Sequence, residues 1–403
     1  MSTKPKLGQT EFVALIAMLF ATIALSIDAM LPALTQMGRE LSPAAPENAT
    51  LVVGIFVLGM GIGTFFAGPL SDAYGRKYII LIGFMIYALG ALWAAAASDL
   101  EGILAGRFLQ GLAVAGPRIA AMAMVRDLYS GKKMASIMSF AMTVFAVVPA
   151  IAPSMGQMVM NTYGWRAIFY IFAAFALIVS LWLASRQPET LMRENRTKLS
   201  ARAISSAVRE CFSNRVFRFS VTSQMMVYAA LFSSISTVQP IYAQTYDKAD
   251  QFPLLFAASA ILSMPASIIN GKLVLRYGMR KLIKASILGV VITTSMTLVL
   301  WLLGITSVWL FFFWATTMFI SIGFVFGNLN SLAMEPLGHI AGMAASINSA
   351  IATIGAAILA IPISLSFEGT PVSLLMGVLM FEFIALLLMM RLGQRDAPIE
   401  LEA

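Results

Sequence analysis

Four ionisable side chains, Asp28, Arg107, Arg118 and Glu382, stand inside long apolar stretches of the chain. An ionised group at the centre of a membrane helix costs about 2.5–3.5 kcal/mol on insertion scales, so each is a candidate for work rather than decoration. A carboxyl there can carry a proton, and a neighbouring cation can stabilise it as carboxylate. The pair Arg107 and Arg118, eleven residues apart, falls within about 20° of one helix face at 100° per residue. The single cysteine, Cys211, allows no intrachain disulfide, and the single histidine, His339, allows no two-imidazole metal or catalytic site. No phosphate-binding Gly-x-x-x-x-Gly-Lys-Ser/Thr stretch occurs, so nucleotide hydrolysis on this chain is excluded as an energy source. No cofactor and no metal is expected, and the chain is not read as an enzyme.

The elements that must position these charges are spanning helices. Of 403 residues, 59% are hydrophobic and 11% charged, against about 45–50% and about 25% in soluble domains. Apolar windows of spanning length predict twelve helices: Phe12–Leu34, Thr50–Leu70, Tyr78–Ala97, Gly102–Val125, Met134–Met158, Trp165–Ala184, Val216–Tyr242, Phe252–Leu275, Leu282–Leu303, Val308–Met334, Ile340–Leu365 and Pro371–Arg391. The first run is too long for a signal peptide and contains Asp28, so it reads as an uncleaved span. The net charge of +8 does not imply nucleic-acid binding, because the basic residues gather in the loops of one side. Placing Lys4 and Lys6 in the cytoplasm puts Arg76, Lys77, Arg126, Lys132, Lys133, the central linker, Lys272, Arg276, Arg280, Lys281, Lys284, Arg391 and Arg395 inside. Only Arg39, Arg166 and Lys248 then remain outside. Both termini are therefore expected in the cytoplasm.

Six spans, a basic linker and six more spans divide the chain into 1–185, 186–215 and 216–403. The stretch Gly68-Pro69-Leu70-Ser71-Asp72-Ala73-Tyr74-Gly75-Arg76-Lys77 returns 203 positions later as Gly271-Lys272-Leu273, with Tyr277-Gly278 and Arg280-Lys281. Gly68 and Gly271 suit close helix approach, and Gly75 and Gly278 suit a turn with positive φ. Asp72 can meet an arginine or a helix N-terminus. Leu275 takes the aspartate's place in the second copy. The linker reads either as a tether or, from Ala201 to Phe212, as an amphipathic helix on the membrane surface.

The Gly68–Lys77 stretch resembles the loop motif of the major facilitator superfamily. Arg107-Phe108-Leu109-Gln110-Gly111 is similar to its fourth-span motif. Pro149-Ala150-Ile151-Ala152-Pro153 with Gly156, and Asp28-Ala29-Met30-Leu31-Pro32, resemble motifs of its proton-driven drug exporters. Val125-Arg126-Asp127-Leu128, Gly164-Trp165-Arg166 and Met334-Glu335-Pro336-Leu337-Gly338-His339 are similar to the Bcr/CflA multidrug exporters. The resemblance implies an all-α membrane protein with twelve transmembrane helices in two six-helix bundles, built from internal 3+3 inverted repeats. It implies a proton-coupled exporter of small amphipathic compounds in a bacterial cytoplasmic (inner) membrane, working as one chain. It also implies a coupling role for Arg107 and a sealing role for Pro149 and Pro153.

At about 1.5 Å per residue Asp28 lies roughly 24 Å above the inner end of its span, and Arg107 roughly 8 Å below the outer surface. The two are at matching depth, either as a proton-coupling pair or as a static ion pair joining spans one and four. Arg118 is either a snorkelling anchor or a cytoplasmic gate, and Asp127 is expected to neutralise Arg76 or Lys77. Glu382 is expected to be a locally satisfied or protonated carboxyl rather than a coupling site, Glu335 to lie at a gate or hinge, and His339 to be a cap or surface group. Candidate cargo contacts are Asp28, Met142 and Phe145 on a methionine-rich face, with Tyr228, Gln239 and Asn330 supplying polar ends. Gly68, Asp72, Gly75, Arg76, Arg118, Asp127, Pro149 and Pro153 form the expected gate. A metabolite exporter or proton-coupled importer on the same scaffold is the alternative, and a membrane enzyme or lipid flippase a more distant one.

Overall fold

The computed structural model describes residues 7–197 and 199–392. Lys4, Lys6 and Arg395, used above to orient the chain, lie outside the described residues. The first half comprises α1 (Gln9–Asp28), a short α2 (Leu34–Leu41), α3 (Leu51–Tyr74), α4 (Arg76–Ala96), α5 (Leu100–Leu128), α6 (Gly131–Tyr163) and α7 (Arg166–Arg186). A linker helix, α8 (Ala201–Ser213), leads to α9 (Arg215–Pro240), α10 (Phe252–Tyr277), α11 (Met279–Leu302), α12 (Val308–Met334), α13 (Ala341–Leu365) and α14 (Val372–Arg391). Among the described residues there is no strand. Two six-helix bundles face each other, and every expected span has its long helix. Eleven stretches are long and apolar enough to cross a membrane, because α12 and α13 run on through the 3-10 turn Glu335–Ile340. Large apolar side chains such as Leu89, Trp93, Ile178, Leu181 and Ile292 stay exposed on the helix faces, as lipid rather than water requires.

The first span departs from the expected Phe12–Leu34. Its helix stops at Asp28, and a 3-10 turn, Leu31–Ala33, precedes α2. Pro32 is the physical reason: it has no N–H to donate, and its ring would collide with the carbonyl four residues back, that of Asp28 itself. The acid therefore sits on the last turn of α1, where carbonyls lack partners within the helix.

Glycine decides how closely the bundles pack. A Cβ on Gly59, Gly63 or Gly111 would come within 2.3 Å of a backbone oxygen on the facing helix, so α3 and α5 touch backbone to backbone. A second stripe on α3, Gly54, Gly61 and Gly68, meets Ile361, Ile354 and Ser346 of α13 across the boundary between the bundles. The expected close approach of Gly68 is present. That of Gly271 is not, because nothing lies within 4 Å of the position its Cβ would take. The second loop copy is a turn without the packing role of the first: Gly278 has φ +76°, and Leu275 is exposed where the first copy has its acid.

The Gly68 contact predicts a crosslink. The position of a Cβ on Gly68 is 3.1 Å from Ser346 Oγ, close enough for sulfurs placed at the two positions to bond. With Cys211 replaced by serine, Gly68→Cys with Ser346→Cys is expected to form a disulfide under mild oxidation and to arrest transport until reduced. A mobility-shift gel after proteolysis of the linker reads the bond, and failure to crosslink contradicts the packing.

Candidate proton-coupling and cargo site

Around the broken end of α1 the polar groups have an ordered hierarchy. Arg107 on α5 is fully buried. Its Nε donates to the Val52 carbonyl at 3.1 Å, Nη2 to the Ser26 carbonyl at 3.0 Å, and Nη1 to Gln110 Oε1 at 3.2 Å. The guanidinium also lies 4.2 Å from the centre of the Phe56 ring. The glycine contacts between α3 and α5 bring Val52 within reach, and the early stop of α1 leaves the Ser26 carbonyl open to a foreign donor. Ser26 Oγ shares a 2.5 Å hydrogen bond with the buried Tyr87 hydroxyl of α4. Four helices are thus tied at one residue.

The expected pairing of Asp28 with Arg107 is corrected. Arg107 spends its donors on carbonyls and an amide, and Asp28 is 5% exposed with no hydrogen bond or ion pair among the described residues. Helix geometry explains the separation: residues 26 and 28 point about 200° apart, so the contact with Ser26 turns the acid away. Behind it, the next residue's carbonyl, Ala29 O, lies 1.9 Å from where a Cβ on Gly156 would stand. The Pro149 and Pro153 stretch of α6 therefore ends in a glycine that lets α6 close on the break in α1.

At the end of the bundle that carries the basic loops, Arg76 contacts Asp72, donates Nε to Asp127 Oδ2 at 3.2 Å and Nη1 to Ser71 Oγ at 3.1 Å. This is the expected partnership of Arg76 with Asp127, and Gly75 has the expected positive φ, +110°. Sequence reasoning missed Glu189. Its carboxylate accepts the backbone N–H groups of Arg76 at 2.9 Å and Lys77 at 3.0 Å, capping the start of α4. Thr190 Oγ1 adds a 2.8 Å bond to Asp127, and Thr197 N donates to the Asp72 carbonyl at 3.1 Å. The first part of the linker is fastened to the loop rather than free. The only sequence signal was an acid just after the sixth span. Further on, α8 buries Cys211 and sets Glu210 Oε1 2.5 Å from His339 Nε2, so His339 is an exposed partner of the linker helix.

The expected cargo residues separate into groups. Gln224 Nε2 donates to Tyr228 Oη at 2.8 Å, while Asn348 Nδ2 donates to Gln224 Oε1 at 2.9 Å and to Asn330 Oδ1 at 3.0 Å. Tyr228 and Asn330 are therefore joined in one polar chain through Gln224 and Asn348. Gln239 is elsewhere: it accepts from Thr35 Oγ1 of α2 at 2.9 Å, bonding the two bundles at the opposite end from the basic loops. Beside that bond Thr35, Arg39, Glu47, Pro240, Gln244 and Phe367 help line a cavity of about 390 Å³. Met142 is exposed, and the half-buried Phe145 packs against the core. Arg118 is half-buried on α5, directly after the buried Pro117. Glu382 is buried with its Oε2 unbonded among the described residues, which departs from the locally satisfied alternative and leaves the protonated one. Glu335 opens the turn between α12 and α13, the expected hinge position.

Comparison with known proteins adds independent facts. The family model described as Major Facilitator Superfamily matches residues 14–360. A bicyclomycin resistance protein homolog from Haemophilus influenzae is 27% identical over 329 residues, covering 80% of each chain. The multidrug resistance protein MdtL of Shewanella oneidensis is 29% identical over 328 residues, again 80% of each. A D-xylose-proton symporter superposes with a TM-score of 0.76 over 96% of this chain and 97% of its own, at 13% identity, a likeness of fold alone.

The Gly156 contact predicts the effect of one methyl group. Gly156→Ala is expected to push α6 from α1 and lower stability by about 1–3 kcal/mol, as overpacking does. Thermal unfolding of the purified protein reads it, and an unchanged midpoint contradicts the close approach.

Proposed function

The chain belongs to the Major Facilitator Superfamily, and from that premise we propose that it is a proton-coupled antiporter that exports small amphipathic drugs or related compounds by alternating access. The observation that carries this reading is Asp28, a buried carboxyl at the broken end of α1 with no partner among the described residues. A carboxyl with no fixed counter-ion can be neutral or charged, and the relative cost of the two states depends on what enters beside it. Cargo arrival that changes this balance releases the proton; cargo departure allows another to bind. Arg107 takes part by fixing the end of α1, which makes it a positioning residue rather than the charge partner. The names of the relatives, bicyclomycin resistance and multidrug resistance, support export of drug-like compounds over sugar or amino-acid uptake.

The rest of the assignment follows the same line. Residues 1–185 and 216–403 act as the two rocking lobes, and 186–215 as the linker. The chain works as a monomer, a carrier rather than an enzyme, in the inner membrane of a bacterium with both ends in the cytoplasm. The excess of Lys and Arg in loops on one side supports this orientation. The Asp72, Arg76, Asp127 and Glu189 cluster then holds the cytoplasmic end of the first lobe, and the Thr35–Gln239 bond joins the lobes at the outer end.

Asp28→Asn is expected to insert and fold normally but to lose efflux driven by a pH gradient, with activity reduced by about two orders of magnitude or more, a scale usual for loss of an essential proton carrier. Proteoliposomes loaded with a phenicol or a cationic dye provide the measurement. Full gradient-driven efflux by this variant would defeat the proposal.

A further inference from the structure

Beside the fastened part of the linker lies a cavity of about 870 Å³ that proton and cargo movement leave unused. It sits where α3 ends and α4 begins, and Leu70, Tyr74, Tyr78, Ile82, Arg193 and Arg196 supply its chemistry. Local geometry brings the two arginines to one side. Arg193 opens the 3-10 turn Arg193–Asn195 and Arg196 closes it, its N–H donating to the Arg193 carbonyl at 3.3 Å. Residues three apart eclipse one another in such a turn. Gly75 completes the placement. Arg196 Nη2 is 2.9 Å from where a Cβ on Gly75 would stand, so the bare α-carbon lets this guanidinium lie over the loop.

No acid bonds either arginine among the described residues, and Arg196 Nε is buried there with no acceptor. A buried N–H without a partner is unfavourable. The acids nearby are committed elsewhere. Glu189 lines the cavity, but its carboxylate accepts the N–H groups of Arg76, Lys77, Thr190 and Leu191. Asp72 and Asp127 hold Arg76, and Glu194 is exposed and does not line the cavity. The pair therefore suits an anion, and phosphate in particular, whose oxygens match the fork of a planar guanidinium.

The opposite wall indicates what carries the phosphate. Tyr78 and Ile82 begin a stripe that continues along α4 through Met85 and Leu89, each between 46% and 59% exposed. Steps of three and four residues keep the stripe on one face of the helix, and that face points to lipid. The tyrosines at its start mark the headgroup level, where amphipathic rings concentrate. A soluble phosphate would meet the arginines and leave the stripe untouched; a phospholipid uses both.

We infer that the cavity binds one anionic phospholipid, its phosphate between Arg193 and Arg196 and an acyl chain laid along Tyr78, Ile82, Met85 and Leu89. That the lipid belongs to the cytoplasmic leaflet rests on the orientation proposed above. A lipid held this way ties the linker to the bilayer face of α4, and so reinforces the bonds of Glu189 and Thr197 that fasten the linker to the loop.

The test is native mass spectrometry of the delipidated full-length protein titrated with dioleoylphosphatidylglycerol or dioleoylphosphatidylcholine. The wild type is expected to bind its first phosphatidylglycerol at least about tenfold more tightly than its first phosphatidylcholine, the scale of two basic side chains acting on an anionic lipid. In the double variant Arg193→Gln with Arg196→Gln the ratio is expected to fall to about one. Replacing both by lysine retains part of it, and Ile82→Asn weakens both lipids. Lys132→Gln with Lys133→Gln removes the same charge from a loop outside the cavity and keeps the preference. Glycerol 1-phosphate in large excess does not displace the lipid. A single gel-filtration peak and an unchanged unfolding midpoint without lipid verify that each variant is folded. A wild type without the preference, an arginine variant that keeps it, or an equal loss in the lysine variant overturns the site. Displacement by glycerol 1-phosphate overturns the lipid as its occupant. Gradient-driven efflux from phosphatidylcholine vesicles tests the antiporter reading separately: lipid preference without efflux sinks that reading and leaves the site, and efflux without lipid preference does the reverse.

Discussion

The structure depends on a guanidinium that is satisfied by backbone carbonyls rather than by an acid. Arg107 is fully buried and bonds the ends of α1 and α3 through Ser26 and Val52. A buried cation without such acceptors would cost several kcal/mol, so the two helices are held where their carbonyls are available. That requirement explains the glycines. Gly59, Gly63 and Gly111 bring α3 and α5 into backbone contact, and Gly156 lets α6 reach Ala29. It also explains the position of the helix break, since Pro32 both ends α1 at Asp28 and leaves the carbonyl that Arg107 takes.

The main functional consequence is a division of labour between charges. Arg107 has enough partners to be static. Asp28, at a similar depth, is buried with no hydrogen bond or ion pair among the described residues, which packing alone does not explain. The seam of Gly54, Gly61 and Gly68 against α13 supplies a smooth surface for movement of the lobes, because small residues let helices slide and rock without side chains interlocking.

Much of the scaffold was legible in the sequence because its signals are local. Apolar run length defines the spans. Gly75 is readable from the turn it must make, and Asp72, Arg76 and Asp127 are readable as opposite charges brought to one end by short loops. Local pattern failed where the decisive partner is remote. Glu189 meets the amides of Arg76 and Lys77 across more than a hundred residues. Gln239 bonds Thr35 of the other lobe rather than joining the polar chain of Tyr228 and Asn330, because depth along a helix does not reveal azimuth. Asp28 and Arg107 have similar depth, yet the two-residue step from Ser26 to Asp28 turns the acid to another side. Gly271 repeats Gly68 in type but not in contact: α10 also meets the other lobe, at α6, yet nothing lies within 4 Å of the position a Cβ on Gly271 would take.

The central claim is that Asp28 exchanges its proton as cargo binds. Its most direct measurement is the pH change of a weakly buffered solution of purified protein when a transported compound is added. Proton release in proportion to bound cargo, abolished when residue 28 is asparagine although cargo still binds, is the predicted result. Equal release from wild type and variant, or binding by the wild type with no proton released at any pH, would contradict it.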